Sequence, residues 1–126
     1  MSQWKFNDFE TNVDFTDADF LERIERAQEL LSVDLESVPK TGKSSEIIRA
    51  QNRCYDNFMN RIFGEGASKD MFATNSLSER VNAVTSLKAI EDRQSEALSA
   101  QDDKYRVQKG NRAQRRYENK YHKNRK

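Results

Sequence analysis

Hydrophobic positions are spaced differently along successive stretches of the chain, and the spacing predicts the element order. Trp4, Phe6, Phe9, Val13 and Phe15 form an aromatic and β-branched opening broken by Asn7-Asp8 and Thr11-Asn12. This pattern predicts two short strands joined by a turn, although Asn-Asp lacks the glycine of the strongest hairpin signal. Thr16-Asp17-Ala18-Asp19 follows, with Thr16 as the expected N-cap and an acid three residues later. Phe20, Ile24, Ala27, Leu31 and Leu35 then recur at steps of four, three, four and four. That spacing lays one apolar stripe along a first helix. Glu22, Glu25, Arg26 and Glu29 fill its solvated face.

Pro39 and Gly42 mark a loop over residues 38–43, because the residue before proline is pushed out of helical geometry. A second helix is predicted from a cap at Ser44 or Ser45 to Gly64, which suits the left-handed position just past a helix end. Ile47, Gln51, Cys54, Phe58 and Ile62 form one stripe, with Ile48, Tyr55, Met59 and Phe63 beside it. A stripe that wide implies contact on two sides and predicts a central helix, with Phe58 and Ile62 buried against Ile24 and Val84 of its neighbours. Residues 68–72 suit a single helical turn. Ser76-Leu77-Ser78-Glu79 matches a capping box and opens a third helix with apolar positions Leu77, Val81, Val84, Leu87 and Ile90. Beyond Ile90 the pattern weakens, so the second half of this helix is expected to project from the core or to await a partner.

Charge divides the chain. Residues 1–103 carry 12 basic and 20 acidic side chains, whereas residues 104–126 carry 10 basic and one acidic. Of the 25 Leu, Ile, Val and Phe residues, only Val107 lies beyond Leu98. The expected organisation is a mainly α domain over residues 1–103, an N-terminal β-hairpin followed by three helices. A flexible basic tail, disordered or helical on binding, is expected over residues 104–126. The longest apolar run is three residues, so neither a membrane span nor a secretory leader is expected. With one cysteine, Cys54, the chain reads as cytoplasmic.

The inventory for catalysis is thin. The single histidine, His122, lies in the basic tail, and Cys54 lies on a core stripe. Too few Cys and His ligands exist for a metal site, and Asp14, Asp17 and Asp19 lack calcium-loop spacing. Gly64-Glu65-Gly66 reads as helix termination rather than a phosphate cradle. No catalytic, metal or cofactor site is expected. In the tail, ten cations interleaved with Tyr105, Tyr117 and Tyr121 suit phosphate neutralisation and base stacking. A small RNA-binding adaptor is therefore one reading, and a solubilising or protein-binding tail is the other.

The order of features resembles that of the small tail assembly chaperones of long-tailed phages and prophages in Gram-positive bacteria. The resemblance is carried by Val13-Asp14-Phe15-Thr16-Asp17-Ala18-Asp19, by Tyr55-x-x-Phe58 in a helix ending Ile62-Phe63-Gly64-Glu65-Gly66, and by Gly110-Asn111-Arg112-Ala113-Gln114-Arg115-Arg116. It implies a small helical, non-enzymatic protein of the host cytoplasm. Such a protein binds the tape measure protein before tail tube protein subunits polymerise around it, with self-association an open possibility. The candidate partner-binding residues are Ile48, Tyr55, Met59, Leu98, Arg112, Arg115 and Arg116. The resemblance also implies a longer product made by frameshifting, and Lys109-Gly110-Asn111 is compatible with a slippery site.

Overall fold

The N-terminal alternation forms an antiparallel hairpin of β1 (Ser2–Phe6) and β2 (Phe9–Val13), with Trp4 opposite Thr11 and Phe6 opposite Phe9. Asn7 turns the chain at a φ of 53°, a left-handed conformation that asparagine enters more readily than most residues. The computed structural model describes the backbone of residues 2–109 and the side chains of residues 2–104. Among the described residues four helices follow the hairpin: α1 (Ala18–Glu36), α2 (Ser44–Phe63), the short α3 (Ala67–Met71) and α4 (Leu77–Lys109). The protein is therefore mainly α with an N-terminal hairpin. The predicted tail residues Arg112, Arg115, Arg116 and His122, and the slip site from Gly110 onward, lie outside the described residues.

Local details differ from the sequence expectation. The N-cap of α1 is Asp17, whose carboxylate accepts the Phe20 N–H at 3.0 Å. Thr16 instead donates its backbone N–H and its hydroxyl to the Asp14 carboxylate. The N-cap of α2 is Lys43, without a side-chain cap, and not Ser44 or Ser45. Gly64 ends α2 with a φ of 108° but an extended ψ of 161°. The left-handed residue is Gly66, at φ 88° and ψ −8°.

The chain divides into two units, Met1–Gln94 and Ser95–Lys126. In the first, α2 is central: it packs on α1 and α3, and its buried residues Cys54, Phe58, Met59 and Ile62 belong to the stripes read from the sequence. Along its seam with α4, Asn52 meets Asn75 just before that helix, Asp56 meets Arg80, and Phe58 lines a common hollow with Val84 and Leu87. The contacts ascend together, so α2 and α4 run in the same direction. The hairpin lies over the end of α2, with Trp4 stacked on Phe63 at 5.4 Å between ring centroids and its indole N–H donating to Ser86 Oγ at 3.0 Å. In the second unit, the side chains of residues 95–104 are all exposed.

α4 is rolled relative to the stripe expected from its apolar residues. Its buried residues are Arg80, Ala83, Leu87, Ile90 and Gln94, at steps of three, four, three and four. Val81 is 44% exposed, and Val84, expected in the core, is half-buried. The roll is possible because both buried polar residues are satisfied. Gln94 accepts the Phe15 N–H at 2.7 Å and donates to the Val13 carbonyl at 2.9 Å. Its amide thus pairs with the chain leaving β2 as a strand neighbour would. Arg80 meets Asp56 and two loop carbonyls. A buried polar group carries its full desolvation cost only when it is unpaired.

Candidate protein-binding groove

Because α4 is rolled, apolar side chains from three helices face a common opening. Phe58 of α2, Ile24 and Gln28 of α1, and Val84 and Leu87 of α4 surround a hollow of about 120 Å³, joined by Phe15, Lys88 and Glu91. Tyr55 lies one turn before Phe58 on α2, and Val81 and Leu77 lie one and two turns before Val84 on α4, so the apolar character extends along the same helix faces. Small-molecule pockets occupy about 300–1,000 Å³. This hollow is smaller and open to solvent. Its size matches a single apolar side chain inserted from a partner surface.

The sequence candidates separate on this surface. Ile48 and Tyr55 are half-buried on α2; Tyr55 lies one turn before Phe58, and neither is among the residues that surround the hollow. Met59 is fully buried at 0% exposure and belongs to the core, so it does not reach a partner. Leu98 is 51% exposed on α4 within the second unit. Nothing in the sequence marks Val81, Val84 or Gln28 as a partner contact, since the spacing of the two valines fits a buried stripe as well as a groove wall.

The charges at the mouth are unequal. Lys88 Nζ lies 3.4 Å from Glu91 Oε1 and 3.3 Å from Asp92 Oδ1. The Asp92 hydrogen bond and the charges of both carboxylates push the lysine pKa up. The described charges at this mouth are thus one lysine against two carboxylates.

A second polar cluster holds the approach to α4. Glu79 does not close a capping box on Ser76, whose N–H donates to Thr74 Oγ1. Its carboxylate accepts the N–H groups of Ala73 and Thr74, each at 3.0 Å, the Thr74 hydroxyl at 2.9 Å and the Asn7 amide at 2.9 Å. Burial pushes the Glu79 pKa up, and these hydrogen bonds outweigh it, holding it below the usual value of 4.5. A carboxylate with a lowered folded pKa contributes stability above its unfolded pKa and loses it as pH falls through the folded value. Glu79→Gln should therefore be less stable than the parent at neutral pH, and the gap should narrow as pH falls below that usual value of 4.5. Parallel urea titrations at neutral and acidic pH check this; a gap independent of pH would contradict it.

Cys54 is buried, and its thiol donates to the Ala50 carbonyl at 3.3 Å. Desolvation, reinforced by the Asp34 charge, pushes its pKa up, which disfavours the reactive thiolate. Among the described residues no group of three or more His, Cys, Asp or Glu side chains is arranged to hold a metal ion. Among them, too, no helix is long and apolar enough to cross a membrane.

No curated protein and no solved structure matches the chain. A family profile does match over residues 7–126, which span the hairpin turn, the groove and the basic C-terminal segment. The chain belongs to that family, DUF6673, described as a family of unknown function.

Proposed function

We propose that this protein is a non-enzymatic assembly chaperone of long-tailed phages. In this reading it binds a helical stretch of the tape measure protein in the host cytoplasm and helps to recruit tail tube subunits. The observation that supports the reading is the open apolar groove around Phe58, on a unit whose core is otherwise filled by Trp4, Met59, Ile62 and Met71. A chaperone for a long, aggregation-prone helical chain must present apolar surface without losing its own fold, and a knob-sized groove between helices meets that need. The resemblance given above supplies the identity of the partner.

Co-expression with the tape measure gene of the same phage, followed by pull-down, tests the reading. The two proteins should co-purify. Val81→Asp, at an exposed position on the groove side of α4, should reduce recovery of the partner at least several-fold with little change in melting temperature, since exposed substitutions usually stay within about 0.5 kcal/mol. Absence of co-purification would overturn the proposal. Sequence-specific capture of an RNA, lost on replacing Arg112, Arg115 and Arg116 by Gln, would favour an adaptor acting through the basic C-terminal segment instead.

A further inference from the structure

The groove also carries information about the segment that enters it. Its floor and walls include the apolar side chains of Phe58, Ile24, Val84 and Leu87 around a space of about 120 Å³. Among the described residues at its mouth, Lys88 is engaged by both Glu91 and Asp92, one positive charge against two negative. Residues 1–94, which make up the unit, carry 17 acidic against 12 basic side chains. Among the described residues, an incoming helix thus meets an apolar hollow bordered by two carboxylates and one lysine. Complementary charge at such a rim steers encounter and sets register.

We infer that the groove selects a basic amphipathic helix of the partner protein, one that inserts a single large apolar side chain over Phe58 and places Lys or Arg within a turn of it, opposite Glu91 and Asp92. The inference rests on the reading of this groove as a protein-docking surface, and it specifies which segments of a long helical partner are taken. A partner helix with the same apolar stripe but acidic flanks meets like charge at the rim and is rejected.

The test uses the full chain and two synthetic peptides of about 20 residues, long enough to hold helical structure in water. Both carry one leucine stripe, flanked by Lys in one and by Glu in the other. The Lys-flanked peptide should bind at least about tenfold tighter at low salt, and the preference should shrink as salt rises. The double variant Glu91→Lys, Asp92→Lys should reverse the preference. Both positions are partly exposed, at 34% and 59% of the side chain, so the fold tolerates the change. Gln28→Arg, at an exposed position lining the hollow, should weaken the Lys-flanked peptide several-fold.

Equal affinity for the two peptides, binding of neither, or a preference unmoved by the double variant would overturn the inference. Tighter binding of a peptide spanning residues 104–126 would assign the groove to the chain's own C-terminal segment and overturn it as well. Overlapping peptides that tile the tape measure protein separate this claim from the functional proposal. If tape measure segments bind but lack basic flanks, the selectivity falls and the chaperone reading stands. If none binds while the Lys-flanked probe behaves as expected, the choice of partner falls and the selectivity stands.

Discussion

Trp4→Ala is expected to destabilise the protein by about 3–5 kcal/mol, the range for deleting a buried large aromatic side chain. Trp4 is 1% exposed, stacks on Phe63, and contacts Phe9 edge-on at 6.0 Å and Phe6 at 6.3 Å. It also spends its only polar group on Ser86 of α4. Removing it opens a void at the point where the hairpin, the end of α2 and α4 meet, and the rigid rings around it can collapse only in part. A domain this size has about 5–15 kcal/mol in total, so the variant should approach the limit of stable folding. Trp4 is the only tryptophan, so the emission of the parent protein reports hairpin docking directly. The measurement is urea unfolding followed by helical circular dichroism for both proteins. A loss below about 1 kcal/mol would show that the helices hold without the hairpin.

Arg80→Ala is expected to cost a similar amount, about 3–5 kcal/mol, by a different route. The Arg80 side chain is 5% exposed, with Nε 3.1 Å from Asp56 Oδ1 and Nη1 donating to the carbonyls of Thr74 and Ser76. Its guanidinium carbon sits 4.5 Å from the centroid of the Phe72 ring. Truncation leaves the half-buried Asp56 and two carbonyls short of a donor and empties the space over Phe72. Arg80→Lys should recover only part of the loss, because an ammonium cannot reproduce the planar fork that reaches Asp56 and the loop together. Chemical unfolding of the parent, Arg80→Ala and Arg80→Lys checks the order. Equal stability of the lysine variant and the parent would show that charge alone matters at this position.

The element order is legible from the residues alone, because the signals that set it are local. Period-two alternation around Trp4 and Val13, the step pattern from Phe20 to Leu35, the proline at residue 39 and the glycines after Phe63 each act within a few residues of the backbone they shape. The core face of α2 was equally legible: Cys54, Phe58 and Ile62 have a helical period and no competing polar use. The roll of α4 depends instead on long-range partners. Reading Arg80 and Gln94 as core requires knowing that Asp56, 24 residues away, and Val13, 81 residues away, satisfy them. Without those partners, Val81 and Val84 are the better candidates for burial. The same holds for Glu79, which serves Asn7 and the loop before α4 instead of capping Ser76. The groove is a consequence of this roll: satisfied polar residues occupy two core positions of the helix, and valines that spacing alone would bury are left at an open edge.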